Sequence, residues 1–224
     1  MKQPYHRVDT PQTSAFPVAS AGYSFIVAAA FATLVFALLE ISVLAIIALL
    51  VTFFVVCFFR DPERFTPSEA TAVVSPADGR VVRTEALTEC PFMEGGCIKI
   101  GIFMSIFNVH VNRVPFSGTI EQTLYQPGRF FSANREAASM ENEQQAIILT
   151  TENGRKICFV QVAGLIARRI ICRLSPGDRV SRGERFGMIC FGSRLDVYLP
   201  TDAEPAVSAG DRVKAGQSIL ARLT

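Results

Sequence analysis

The sequence predicts a compact, mainly β domain that follows an apolar helical hairpin, and three observations support this fold class. Glu40 is the one charged residue in the stretch 23–59, in a chain that is 50% hydrophobic and 19% charged. The remainder contains short runs rich in Val, Ile and Phe, separated by turn compositions such as Glu152-Asn-Gly-Arg155. A segment at Gly177–Gly183 recurs at Gly210–Gly216, which indicates two similar halves.

The apolar stretch 23–59 predicts two helices, roughly 23–39 and 41–59, that form a transmembrane or a shallow re-entrant hairpin. A single helix of this length would be about 55 Å long, whereas one bilayer crossing needs about 20 residues. Glu40 lies near the middle, where a carboxylate favours a turn near an interface. Arginines flank the pair on both sides, which places the following domain on the cytoplasmic face of the inner membrane. A buried hairpin of a soluble protein is the alternative.

The chain therefore has four predicted segments. A polar tail covers 1–22, the hairpin covers 23–59, a Pro-containing linker covers 60–70, and the β domain covers 71–224. The net charge of +2 excludes a strongly basic nucleic-acid-binding domain. The six cysteines form no Cys-x-x-Cys pair and have apolar flanks, which indicates buried reduced thiols and no metal site.

The repeated segment has the pattern Gly-Asp-Arg-Val followed by two residues and Gly. It predicts a tight turn, a short strand and a second turn, and it resembles the units of the biotinyl/lipoyl-type hybrid fold, a small β-sandwich or flattened barrel. Carrier domains of that type expose a lysine at a hairpin tip, and neither Lys99, Lys156 nor Lys214 lies in such a hairpin. The repeat therefore predicts the fold and not a carrier function.

Three residues of the predicted β domain could carry chemistry together. Asp78, His110 and Ser193 supply an orienting carboxylate, a base and a hydroxyl nucleophile. His110 is the one histidine of the domain and lies in an apolar stretch that we expect to be a strand, where a polar ring needs a partner. Each residue also has a structural interpretation: a core histidine, an Asp-Gly turn and a Gly-Ser turn. An ordinary Ser-His-Asp hydrolase is a further hypothesis, but the absence of a G-x-S-x-G elbow around Ser193 counts against it.

Six segments in chain order resemble the phosphatidylserine decarboxylase family, in its short bacterial and archaeal form. They are Phe58–Arg64, Val74–Arg80, Phe107–Arg113, Pro115–Thr119, Ser139–Glu143 and Phe191–Pro200. Together they span most of residues 58–200, and their joint order is far more specific than any one of them.

The resemblance implies a precursor that cuts itself between Gly192 and Ser193. Ser193 would be both the nucleophile and the source of a covalent pyruvoyl group, His110 would deprotonate it, and Asp78 would orient His110. The pyruvoyl ketone would form a Schiff base with the amine of phosphatidylserine, CO2 would leave, and phosphatidylethanolamine would be released. Arg113 stands where some longer relatives have a second histidine, and it is a candidate substrate-binding residue.

The resemblance further implies that a large chain, 1–192, and a small chain, 193–224, stay associated, and that cleaved protomers form a homodimer that acts on phosphatidylserine in the membrane. Two alternatives stay open: a non-enzymatic, membrane-anchored, lipoyl-like adaptor, and a decarboxylase of a related seryl lipid such as archaetidylserine. Residues 129–143 predict a helix or a surface loop, which would also suit a flap over the site.

Overall fold

The structure, a computed structural model, describes residues 17–128, 142–164, 169–190 and 193–223. The chain divides into two compact units, Met1–Glu63 and Arg64–Thr224. The first unit is helical and the second is built from strands.

Two apolar helices form the first unit. A short 3₁₀ turn, Ser20–Gly22, leads into α1 (Tyr23–Leu38), and α2 (Ser42–Phe58) follows. Glu40 lies in the turn between them with a φ of 57°, a left-handed conformation that residues other than glycine rarely adopt. The connection is therefore tight, because α2 begins only two residues after Glu40.

The helical pair exposes apolar side chains on nearly all sides. One helix, counted from Ser20 to Leu38, is long and apolar enough to cross a membrane, and Ser42–Phe58 is a shorter apolar helix. The Thr33 and Thr52 hydroxyls lie 3.0 Å apart across the pair, and each also donates to a carbonyl four residues earlier. The hairpin thus satisfies these polar groups internally, as a lipid environment requires.

The second unit contains one large antiparallel sheet and two small ones, so the predicted mainly β fold with apolar helices before it is confirmed. In spatial order the large sheet consists of β13 (Arg212–Val213), β2 (Gly79–Leu87), β3 (Cys97–Met104), β11 (Ser193–Leu199), β7 (Lys156–Ala163), β6 (Gln144–Thr150), β5 (Gly118–Gln126) and β9 (Arg179–Val180). The small sheets are β1 (Ala72–Val74), β14 (Ile219–Arg222) and β12 (Glu204–Pro205), and β4 (Val111–Arg113), β10 (Arg185–Cys190) and β8 (Arg169–Cys172).

The main core joins one face of the large sheet to both small sheets. Its buried members include Ile102 of β3, Leu195 of β11 and Leu220 of β14. The rings of Phe159 in β7 and Phe186 in β10 meet edge to face, with centroids 5.1 Å apart. Side chains that point to this face of the large sheet are therefore shielded from water.

Apolar runs of the second unit fall in strands, but runs that are neighbours in sequence do not always pair. The Asn-Gly turn connects β6 to β7 as an antiparallel hairpin, which confirms that prediction. The runs Val73-Val74 and Val81-Val82 fall in β1 and β2, but β1 pairs with β14, while β2 pairs with β3 and β13.

The repeated segments, which we call the repeat turns, lie at opposite edges of the large sheet. In the first repeat turn, Gly177–Gly183, the Gly177 N–H donates to Ile120 O at 2.8 Å, and the short strand β9 pairs with β5. In the second, Gly210–Gly216, the Gly210 N–H donates to Val81 O at 2.7 Å, and β13 pairs with β2. The likeness to the lipoyl-type fold is loose and rests on this repeated unit.

Candidate active site

Strand register brings the three predicted chemical residues to one end of the large sheet. Met104, the last residue of β3, pairs with Ser193, the first residue of β11. β2 lies on the other side of β3, and the first residues of β2 pair with the last residues of β3. Asp78 directly precedes β2 and therefore lies at the same end of the sheet. Loop 105–110 leaves β3 there and finishes at His110. We call this the site end of the sheet.

Ser193 is completely buried and lies between two strands, opposite Met104 in β3 and Ala163 in β7. Its hydroxyl donates to Met104 Sδ at 3.3 Å. A thioether sulfur is a weak acceptor, so little energy is lost when the hydroxyl turns or gives up its proton. Gly192, the predicted carbonyl partner in the cut, lies outside the described residues.

His110 is also completely buried, but it does not lie in a strand as the sequence predicts. It directly precedes β4, because Asn108 first turns the chain: Asn108 Oδ1 accepts from the Ser105 N–H and hydroxyl, both at 2.8 Å. His110 Nδ1 lies 2.9 Å from Asn108 O. A carbonyl only accepts, so Nδ1 carries a hydrogen and Nε2 is the basic nitrogen of the neutral ring.

The Asp78 carboxylate is held by two groups from distant parts of the second unit. Arg64 Nη2 donates to Oδ2 at 2.9 Å, and the Ala215 N–H donates to Oδ1 at 2.8 Å. Arg64 is itself fixed by Gln217 Oε1 at 2.9 Å. Among the described residues these bonds hold Asp78 and none joins it to His110, so the orienting role of Asp78 stays a prediction.

Arg113 is almost fully buried, and its guanidinium reaches a repeat turn. Its Nη1 donates to Gly183 O at 2.9 Å. A Cβ added at Gly216, in the other repeat turn, would lie 2.9 Å from Arg113 Cδ. The same Cβ would lie 3.7 Å from Gly183 Cα, so the large sheet curls until its two edges come together and Arg113 packs between the two repeat turns. Its predicted contact with substrate is untested.

Sequence reasoning missed two buried amides beside Ser193. Gln161 Nε2 donates to Asn112 Oδ1 at 2.9 Å, and Asn112 Nδ2 approaches Met104 Sδ at 3.8 Å, the same sulfur that accepts from Ser193. All four side chains are completely buried. The signal was present for Gln161, a polar residue that follows an apolar run in β7, whereas the short strand β4 contains Arg113 beside Asn112.

A buried ionic cluster lies on the opposite face of β11. Arg194 and Asp196 form an ion pair in which Nη2 donates to Oδ2 at 3.0 Å and Nε lies 2.8 Å from Oδ1, and Lys99 Nζ lies 3.6 Å from Oδ2. Because side chains alternate along a strand, the cluster faces away from the Ser193 hydroxyl. It holds the first residues of β11 in the sheet without entering the site.

The cysteines are free thiols, and burial favours the protonated form at two of them, Cys97 and Cys158. All six are free thiols, and Cys97, Cys158 and Cys190 are buried. Burial, with a smaller contribution from neighbouring Cys90, raises the pKa of Cys97 to about 12, and burial likewise raises the pKa of Cys158. Within the described ranges no group of three His, Cys, Asp or Glu side chains could hold a metal ion.

Comparison with known proteins shows the family to which the chain belongs. The family model "Phosphatidylserine decarboxylase" matches residues 51–221. Relatives named "Phosphatidylserine decarboxylase proenzyme" include those of Desulfotalea psychrophila, 52% identical over 92% of this chain and 97% of the relative, and Geotalea uraniireducens, 52% identical over 91% and 95%. That of Trichlorobacter lovleyi is 46% identical over 99% of both chains.

These matches show that the chain is an enzyme of the decarboxylase class. It belongs to the phosphatidylserine decarboxylase family, as its six sequence segments predicted.

Proposed function

We propose that this chain converts phosphatidylserine to phosphatidylethanolamine and CO2 after it has cut itself between Gly192 and Ser193. The position of Ser193 carries the proposal: a buried hydroxyl at the first residue of a central strand, at the same sheet end as Asp78 and His110. The relatives are named proenzymes, which supports a precursor that is processed.

In the proposed cut, Ser193 Oγ bonds to the carbonyl carbon of Gly192, the C–N bond between the two residues breaks, and the nitrogen takes a proton, which leaves an ester. Loss of the Ser193 Cα proton then breaks the Cβ–Oγ bond. Gly192 keeps that oxygen in its new carboxylate, and residue 193 becomes dehydroalanine. Water replaces its nitrogen, ammonia leaves, and a pyruvoyl group remains. Gly192 has no side chain to block the approach.

We assign the proton transfers of the cut to His110. With Nδ1 hydrogen-bonded to Asn108 O, Nε2 is the nitrogen that would take the Ser193 proton and pass it to the departing nitrogen. Asp78 would stabilise the positive ring by its charge, because its described bonds go to Arg64 and Ala215. Arg64 keeps that carboxylate at the site end.

A pyruvoyl group fits residue 193. Serine is the residue that can give rise to it, and pairing with β3 and β7 on both sides fixes the position of residue 193. When bound there, the group supplies a ketone that accepts the substrate amine and the electron pair left by CO2. His110 would hold the proton that replaces CO2 on the substrate carbon, and Arg113 is the proposed partner of the substrate carboxylate or phosphate.

The fold explains how two chains would stay together after the cut. The small chain, 193–224, contains β11 to β14, and it contributes strands to the large sheet and to one small sheet. β11 pairs with β3 over its whole length and with β7 over all but its last residue. We propose an associated pair of chains, with the homodimer as a further prediction of the resemblance.

The apolar helices suit the proposed substrate. A diacyl lipid stays in the bilayer, so an enzyme with a membrane hairpin meets it at the headgroup layer. We propose that the hairpin lies in the inner membrane and that the catalytic unit faces the cytoplasm.

Replacement of Ser193 by Ala tests the proposal. Wild-type protein should give a small chain of about 3.5 kDa, the share of 24.5 kDa carried by 32 of 224 residues, and its intact mass should fit a pyruvoyl terminus. Ser193→Ala should stay whole and release no CO2 from phosphatidylserine vesicles. Ser208→Ala, an exposed serine in the same segment, is the control and should behave like wild type.

Other outcomes identify the alternatives. A Ser193→Ala chain that still splits at 192/193 would contradict the proposed nucleophile. An uncut wild-type chain that carbonyl reagents do not label would favour the adaptor. An uncut chain whose Ser193 reacts with a phosphonylating probe would favour a hydrolase.

A further inference from the structure

Two phenylalanines of the second unit stand out by their exposure. Phe65 and Phe107 are 88% and 73% exposed, more than the other large apolar side chains of this unit within the described ranges. Single exposed apolar residues are common on protein surfaces, so exposure alone indicates nothing. These two phenylalanines differ from other exposed apolar residues because the segments that carry them also hold residues of the candidate site.

The loop that carries Phe107 is closed by hydrogen bonds and holds the ring outward. Asn108 Oδ1 accepts from the Ser105 N–H and hydroxyl, and the Asn108 N–H donates to Ser105 O at 2.9 Å. The same Asn108 binds His110 Nδ1 through its carbonyl. The exposed ring and the candidate base thus belong to one fixed loop.

Both phenylalanines belong to segments that reach the site end of the sheet. Phe107 is three residues after Met104, the strand partner of Ser193. Phe65 follows Arg64, whose guanidinium is bonded to Asp78 at 2.9 Å. Two segments that hold proposed site residues therefore each present a phenylalanine to the surroundings.

We propose that Phe107, with Phe65 as a second contact, enters the surface of the lipid bilayer and brings the site end of the sheet to the headgroup layer. The inference rests on the proposed function, because a phosphatidylserine substrate is what brings a bilayer to this end. The apolar helices of the first unit independently support a lipid environment for the chain. An aromatic ring gains free energy when it leaves water for the interfacial region.

The sequence allows a direct test, because the chain contains no tryptophan. In the full-length protein, Phe107→Trp creates a single fluorescent reporter at the loop tip. With phosphatidylcholine–phosphatidylserine vesicles, we expect its emission to shift to the blue and acyl-chain-brominated lipids to quench it strongly. Phe65→Trp should respond in the same way. Glu152→Trp, in the exposed β6–β7 turn at the opposite end of the sheet, is the control and should show neither effect.

A functional measurement accompanies the fluorescence. For Phe107→Ala we expect the ratio of the decarboxylation rate on vesicles to the rate on dispersed short-chain phosphatidylserine to fall about ten-fold, the effect of losing one buried aromatic ring. Self-cleavage of the variant is measured separately, so failure of the cut in wild-type protein counts against the proposed function and not against this surface.

Two results would overturn the inference. Emission of Phe107→Trp that is the same with and without vesicles would show that the ring stays in water. A blue shift without lipid that grows with protein concentration, and that brominated lipids do not quench, would assign the ring to a contact between two copies of the chain.

Discussion

The two edges of the large sheet are built alike but differ in one pair of residues. At one edge the Arg182 N–H of the first repeat turn donates to Ser117 Oγ at 2.9 Å, and at the other the Ala215 N–H of the second repeat turn donates to Asp78 Oδ1 at 2.8 Å. Each acceptor directly precedes the glycine that begins the next strand. A hydroxyl is therefore enough to hold a repeat turn, and Asp78 brings in addition a negative charge and a second oxygen.

The guanidinium groups near these edges differ in the same way. Arg182 donates to three backbone carbonyls, those of Pro67, Glu69 and Ala72, all of which are neutral. Arg64 instead donates to the Asp78 carboxylate. The Arg182 guanidinium therefore binds neutral carbonyls, whereas the Arg64 guanidinium forms an ion pair with Asp78 at the end of the sheet where Ser193 lies.

The largest effect is expected from Asp78→Ser, which copies the arrangement of the other edge. The turn keeps an acceptor for Ala215, but the charge is lost, so we expect the cut to slow by about 10²-fold or more, the typical contribution of acid–base groups. A time course of the uncut chain on a denaturing gel measures it.

The matched change at the other edge is Ser117→Ala. It should lower the free energy of unfolding by about 1 kcal/mol through one lost hydrogen bond, and the cut should keep its wild-type rate. If Asp78→Ser matured as fast as wild type, Asp78 would be a turn residue like Ser117.

A smaller effect is expected when the arginines are compared. Arg64→Met leaves the Asp78 carboxylate without its ionic partner, and we expect the cut to slow by about ten-fold and unfolding to be easier by about 2 kcal/mol. Arg182→Met should destabilise the fold by a similar amount without changing the cut. Gel time courses and chemical denaturation of both variants separate the two effects, and equal cutting rates would remove the distinction between the edges.

The smallest effects concern the glycines of the repeat turns, where the edges should behave alike. Gly177 and Gly210 have positive φ and open space, so alanine should cost about 1 kcal/mol at each. At Gly183 a Cβ would also clash with Thr66 Oγ1, and at Gly216 it would lie 2.9 Å from Arg113 Cδ, so a larger loss is expected.

Thermal unfolding of the four alanine variants measures these costs. A larger loss at Gly210 than at Gly216, or at Gly177 than at Gly183, would contradict this account of the repeat turns.

The fold was predictable wherever its signal was local. The Asn-Gly turn between β6 and β7 and the break at Glu40 join segments that are adjacent in sequence. The repeat turns were visible as a pattern, but their places at opposite edges depend on pairing with Ile120 and Val81, far away in the chain. Pairing between residues that are far apart in sequence depends on the packing of the whole core, so no local sequence pattern predicts it.

The chemical residues of the site were predictable by type, and their partners were not. Asp78, His110 and Ser193 could be selected from the sequence. The sequence alone, however, assigns Arg64 to a linker and Ala215 to a turn. Asn112 and Gln161 gain importance only when β4 and β7 face each other. The proposed cut involves Gly192, which lies outside the described residues, as does most of the segment 129–143 that would suit a flap.

The central position of β11 gives the proposed maturation a definite order in time. Residue 193 reaches its place only after β3 and β7 have closed around it, so the chain must fold before it can react. Once the peptide bond is broken, the two separated chains cannot refold by the original route, because the precursor folded as one continuous chain. The mature enzyme would then owe its lifetime to a slow rate of unfolding rather than to a reversible equilibrium.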